Sequence, residues 1–440
     1  MNLRVLMLLL RPARGQGGLI VLPIIAFGVV TALVLIVAGG AQSFWTWTDD
    51  YALLYQALAA IALVLLVVPL LSLGGAAARL AARRRDERLS TLRLLGVTPA
   101  GVGVAAIAES VLLSAGGAAA GVAGYLAMSP LIGLIPFRGA ALGWQAVLLP
   151  PGSLLAIVAA ILLIAAVSAA IGLRRVVISP LGVRTRATAV GAHWIRFVVG
   201  AGVIAVAVVI AEVVPQIAGV VTTIAIVAAL FAAGLAVLGL IGPWALKVSA
   251  RLWLRRAETP ERLLAARIVL DDPKAAWRQI GGVSMASFMA VFAGTGVSLI
   301  NVMSSAGAEA AELDLARDMR TGLIITLVAS FLSVAASVGV NQASAVLDAR
   351  ELHRSLHHLG VPARTVDRAR TRAVMAPLLL TSIGSALCAG VLVFPLLGAA
   401  LIIAPLSLLT IALVVAAGIL VVWLSTRATS PALSRSFHAA

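Results

Sequence analysis

Few side chains in this sequence are placed to do chemistry, and their spacing says which chemistry is open to them. Glu109 and Glu212 are carboxylates inside long apolar runs. An ionisable group in that setting relays protons, meets a charged ligand or pairs with a nearby cation. Glu109 lies a few turns from a basic segment, and Glu212 lies near the far end of its run. His353, His357 and His358 fall at i, i+4 and i+5 of one basic stretch. No Cys or paired acid accompanies them as a further ligand, so the trio reads as a solvated helix face, with no metal. Cys388 is the only cysteine, which leaves neither an intramolecular disulfide nor a thiolate metal site. Lys247 and Lys274 do not follow glycine loops, and G-x-x-x-x-G-K-[ST] is absent, so the chain is not expected to bind ATP through a P-loop of its own. Gly101-x-Gly103-x-x-Ala106 and Gly200-x-Gly202-x-x-Ala205 lie in apolar runs without a preceding strand and read as packing glycines. No nucleophile and base are paired. The sequence implies no catalytic residue and no cofactor in this chain.

The elements that would position these residues are apolar helices. The 440-residue chain is 62% hydrophobic and 11% charged, with a mean hydropathy of +1.10. Soluble domains carry about 25% charged residues. Apolar runs of the length needed to span a ~30 Å hydrocarbon core recur throughout. Ten spans are expected, at about 19–39, 52–74, 101–128, 153–173, 195–214, 218–240, 280–303, 323–346, 374–397 and 401–424. They place every Arg and Lys on one side except Arg138, Arg317 and Arg320. The net charge of +16 is then the positive-inside asymmetry of a multi-pass protein of a bacterial cytoplasmic membrane, both termini inside. No basic patch interleaved with aromatics points to nucleic acid. The apolar run 18–39 reads as a signal anchor, being long for a cleaved leader. Outer loops are short, with Trp45, Trp47, Asp49 and Asp50 in the first and an acidic stretch, 304–320, in a later one. The segment 129–149, with Pro130, Pro136 and Trp144, is expected to hold a short re-entrant or surface helix. Gly117-x-x-x-Gly121 suits close helix packing, Asn341 and Gln342 suit interhelical hydrogen bonding, and Pro377 suits a kink.

One stretch occurs twice. Aligning Leu95-Gly96-Val97 on Leu359-Gly360-Val361 also aligns Glu87 with Glu351 and Leu92 with Leu356, 264 residues apart throughout. Each copy reads as an arginine-rich helix carrying a Glu, then Leu-x-x-Leu-Gly-Val, a proline turn and an apolar helix. Gly96 and Gly360 stand where a helix stops on a residue of positive φ. The leucines three apart give each copy an apolar ridge beside charges such as Arg88. Leu9-Leu10-Arg11-Pro12 and Leu270-Asp271-Asp272-Pro273 precede the first span of each half, and Ser179-Pro180 and Ser430-Pro431 follow the last. Internal repeats of this kind set the architecture. The expected fold is all-α: an elbow helix (1–17), a four-helix unit (18–175), a linker and central helix pair (176–246), a cytoplasmic elbow segment (247–279), a second four-helix unit in parallel orientation (280–425) and a tail (426–440).

E-x-x-x-x-L-x-x-L-G-V between one span and a glycine-rich span resembles the FtsX/MacB/LolC-type (type VII) ABC permeases. The ten-span plan is similar to the BceB-like members, without their large extracellular domain. The resemblance implies a permease subunit that binds no cofactor itself. A separate ABC ATPase carrying ATP and Mg would dock, in two copies, on coupling helices formed by Glu87, Arg88, Leu92, Leu95 and Gly96 and by Glu351, Leu356, Leu359 and Gly360. It implies export or outer-leaflet extraction of an amphipathic substrate, such as an antimicrobial peptide, drug or lipid. Glu109 also fits the family pattern, whereas the second copy has Ala373 at the equivalent position. Two other readings remain open: a mechanotransmitting sensor that controls a kinase or cell-wall enzyme, and a proton-coupled secondary transporter using Glu109.

Overall fold

The computed structural model describes residues 17–49, 51–63, 66, 99–177, 220–305, 310–348, 355–356 and 358–428. The chain separates into two compact units, Met1–Ala187 and Thr188–Ala440. Among the described residues seven helices are long and apolar enough to cross a membrane. The protein is therefore an all-α, multi-pass membrane chain. Expected span five (195–214) and the N-terminal elbow lie outside the described residues.

The first unit contains α1 (Gly17–Gln42), a short apolar helix α2 (Ala52–Leu63), α3 (Pro99–Ile132), a one-turn helix α4 (Trp144–Val147) and α5 (Pro151–Val177). At 1.5 Å per residue the 26 residues of α1 run about 39 Å, enough to cross a bilayer with tilt. Helix α3 is the unit's centre, packing on α1 on one side and α5 on the other. The small-residue stretch sets the α1–α3 distance. A Cβ on Gly121 would lie 2.6 Å from Gly28 O, and one on Gly117 would lie 2.8 Å from Ile24 O. The two backbones meet with no side chain between them, as the glycine spacing implied.

The second unit contains α6 (Val220–Arg255), α7 (Pro260–Asp271), α8 (Pro273–Ser305), α9 (Ala310–Asp348), α10 (Ala363–Leu392), α11 (Phe394–Ile403) and α12 (Pro405–Arg427). Prolines open α5, α7, α8 and α12, where the missing N–H costs no intrahelical bond and the fixed φ suits the first turn. Helix α8 is the hub, touching α6, α9, α10, α11 and α12, and most of its apolar span is buried. Its hydroxyls are satisfied in two ways. Thr295 and Ser298 donate to the carbonyls four residues back, at 2.7 Å each. Ser287 meets Ser382 of α10 at 2.7 Å. In a medium without water each such group needs a partner within the protein.

Four boundaries differ from expectation. Helix α6 continues to Arg255, beyond the expected end of span six near Leu240, and it packs on α7, α8 and α10. It falls within the second compact unit. The acidic stretch expected as an outer loop is helical from Ala310, because Ala, Glu, Leu and Arg all favour helix and its acids sit well at a helix N-terminus. Expected span nine ends at Leu392, and the apolar segment Phe394–Ile403 is a separate helix, α11, started by Pro395. The segment 129–149 holds the expected short helix, α4, together with a hairpin the periodicity did not reveal: Pro136–Phe137 (β1) against Ala140–Ala141 (β2). Its turn residues Arg138 and Gly139 have φ of 54° and 73°, the two positive values of a type I′ turn.

Candidate functional site

Of the residues assigned to the repeated motif, the described ones are Leu356, Leu359 and Gly360. Glu87, Arg88, Leu92, Leu95, Gly96 and Glu351 lie outside the described residues, as does Glu212. Gly360 has φ 77°, the left-handed stop read from the sequence. Val361 N–H donates to Leu356 O at 3.0 Å, the six-to-one bond of a Schellman cap. The cap's hydrophobic partners are present too. Leu356 and Val361 pack against buried Val346, near the end of α9, and Val366, in the first turn of α10. The apolar ridge is thereby divided. Leu356 is spent on anchoring the turn, and Leu359, at 78% exposure, projects from its tip.

The junction of α9 and α10 behind this turn is tied by Arg370. Its Nη2 donates to Gln342 Oε1 at 2.9 Å and to Gln342 O at 3.2 Å. Gln342 therefore does the interhelical bonding expected of it, while Asn341 reaches Ser337 of its own helix at 3.5 Å. Helix α7 packs on the start of α10, where Glu261 lies 3.9 Å from Arg368. Its carboxyl is held below the usual range, first by its backbone N–H, then by Thr259, with Arg372 and Arg368 adding to the effect. Arg364, Arg368 and Arg372 are exposed at successive turns of α10. The tip leucine and the arginine row lie on one end of the second unit: an apolar knob beside positive charge. Among the described residues no group of three His, Cys, Asp or Glu is arranged to hold a metal ion.

Glu109 sits on α3, its side chain half-buried beside buried Ser110. At the opposite end of the first unit the chain builds a more elaborate cluster. Nη2 of Arg138 lies 2.7 Å from both carboxylate oxygens of Asp49. Its guanidinium carbon stands 3.8 Å over the Trp47 ring and 4.9 Å over that of Tyr55. Those rings are 4.9 Å apart at 88°, and Phe44 packs against Trp47, Tyr55 and Phe137. The Arg138 hydrogen bond holds the Asp49 carboxyl below its usual range. Tyr125, fully buried, fixes the adjoining segment, donating to Val147 O and accepting from Leu149 N, both at 2.8 Å. Reading along the sequence did not join Asp49 to Arg138, 89 residues apart. The available signal was charge: Arg138 is the one cation expected outside in the first half, and Asp49 and Asp50 are the acids there.

These features define a class, an all-α chain of membrane-crossing helices in two units, one end of the second carrying an arginine row. No family model matches the chain, and no curated protein or solved structure matches it.

Proposed function

We propose that this chain is the permease subunit of a bacterial ABC transporter of the FtsX/MacB/LolC type, set in the cytoplasmic membrane with ten spans. Two parallel four-helix repeats flank a further helix pair, and ATP is bound and hydrolysed by a separate ATPase. Two ATPase copies dock on the turns 87–96 and 351–360. Their ATP-driven closure moves the helices continuous with those turns and expels or extracts an amphipathic molecule.

The observation that carries this reading is the second copy of the motif. Its glycine stop is packed into the end of α9 and the start of α10, so force on the exposed tip around Leu359 is delivered to two spanning helices. The helices that follow the two copies support the repeat. Helix α3 follows the first copy and α10 follows the second. In each unit that helix packs on the helix two places before it, α3 on α1 and α10 on α8.

The test is co-purification of the full chain with the ABC ATPases of its own organism, wild type against the Glu87→Arg/Glu351→Arg double variant. Wild type should retain an ATPase that the variant loses. Absence of any ATPase from correctly inserted wild type sinks the reading. Retention by the double variant removes the docking site from these turns.

A further inference from the structure

The outer cluster of the first unit has the build of a cation-recognition site, with its occupant supplied by the same chain. An ion pair alone would tie Arg138 to Asp49. Here the guanidinium also lies over Trp47 and Tyr55, whose rings stand at 88° and form a corner. Two aromatic faces and a carboxylate together recognise a guanidinium or alkylammonium group, by attraction to the rings and charge-assisted hydrogen bonds. The corner is braced from behind. Tyr55 and Phe137 are buried, and Phe44 contacts both as well as Trp47. It is open in front, the side chains of Arg138 and Asp49 being 31% and 45% exposed.

The way Arg138 arrives matters as much as where it ends. It is the first central residue of the two-residue hairpin turn, and its φ of 54° is a conformation a non-glycine residue adopts at a cost of order 1 kcal/mol. Releasing the guanidinium would let the turn relax, while the core of the unit, held through Tyr125, stays as it is. The exchange of one cation for another conserves charge and needs no covalent step. An incoming cation has an advantage over Arg138 if it carries apolar surface, because Trp45 stands exposed on the same loop.

We propose that the Trp47–Tyr55–Asp49 corner is a recognition site for the guanidinium or ammonium group of a cationic amphipathic molecule, and that Arg138 is a built-in stand-in which that group displaces. The identity of this molecule as transported substrate rests on the permease reading; the site itself does not.

The experiment uses the full-length protein in zwitterionic lipid nanodiscs, labelled with 5-fluorotryptophan, the Trp47 resonance being assigned with Trp47→Phe. The probes are ethylguanidinium and its neutral analogue of like shape, ethylurea. In Arg138→Ala, ethylguanidinium should move the Trp47 resonance saturably and ethylurea should not. Adding Asp49→Asn should raise the half-saturating concentration about tenfold or more, as loss of a charge-assisted partner implies. Wild type should also require about tenfold more probe than Arg138→Ala, because the tethered arginine competes at an effective concentration in the millimolar range. A Trp47 resonance that never saturates in Arg138→Ala, responds equally to ethylurea or ignores Asp49→Asn overturns the site. Equal half-saturation in wild type and Arg138→Ala overturns the stand-in. Should Arg138→Ala fail to fold, Arg138→Gln keeps the stem and a hydrogen-bonding head without the charge and carries the same titration. No ATPase is present, so a failure here is separable from a failure of the permease reading.

Discussion

Tyr125 shows how much a single hydroxyl can hold at the residue scale. It lies on α3 with its ring buried against Leu35 of α1 and Val147 of α4. Through one oxygen it serves both a carbonyl and an amide of the segment that leads from the outer hairpin to α5. Tyr125→Phe keeps the ring and removes that oxygen, leaving the Val147 carbonyl buried without it. Stranded buried groups cost about 1–3 kcal/mol each. The expected outcome is lower thermal stability of the purified protein and faster hydrogen exchange at the Leu149 amide, with little change at α1. Unchanged exchange at Leu149 would mean water replaces the hydroxyl without loss. None of this was visible in the sequence, where Tyr125 is one apolar-run residue among many. A hydroxyl declares its role only once the fold brings a second segment to it.

At the scale of elements, what the sequence made legible depended on whether the signal was local. Gly360 ends its helix with positive φ because that geometry is decided within six residues, and the pattern Leu-x-x-Leu-Gly-Val contains both the stop and its hydrophobic partner. The glycine pair of α3 was legible for the same reason: spacing of four places both on one face. Helix ends beyond the membrane were not. Hydropathy marks where an apolar stretch stops, whereas α6 and α9 run on through charged residues that favour helix as well as leucine does. The α1–α3 seam gives this scale its prediction. A methyl at Gly121 would fall 2.6 Å from both Gly28 O and Thr31 Cβ, and neither a backbone oxygen nor a buried β-branched side chain can yield cheaply. Gly121→Ala should therefore push the helices apart and cost about 1–3 kcal/mol, the usual range for overpacking. The same change at Gly124, where the nearest atom would be Ala32 Cβ at 3.8 Å, should be close to neutral. Equal melting temperatures for the two variants, read by scanning fluorimetry in one detergent, would argue that the seam is looser than the structure has it.

At the scale of the whole molecule, charge and helix direction fit one orientation. In the second unit α8 leaves a basic end, with Lys274 and Arg278 in its first turns, and α9 returns after a short connection, starting with Asp314, Arg317, Asp318 and Arg320. Helix α10 then begins at the basic end again with its arginine row, and α12 finishes there at Arg427. Helices α6, α8, α10 and α12 thus put their basic ends together and leave the start of α9, with its acids and two arginines, at the other end. The proposed function needs the basic end to face the cytoplasm, the side the positive-inside rule favours, where a soluble ATPase could reach Leu359. In the first unit the proposed topology needs the end carrying Trp47 and Asp49 to lie outside, where the cation that displaces Arg138 would arrive. Both readings therefore stand on one orientation, and that orientation can be measured alone. With Cys388 replaced by Ser, single cysteines introduced by Thr48→Cys and Arg317→Cys should react with a membrane-impermeant maleimide in intact cells. Arg267→Cys on α7 and Arg364→Cys on α10 should react only after permeabilisation. The reverse pattern in the second unit would place the exposed leucine tip outside and leave an ATPase nothing to grip. The reverse pattern at Thr48→Cys alone would put the turn 87–96 outside, leave an ATPase only the turn 351–360 to grip, and face the aromatic corner toward the cytoplasm.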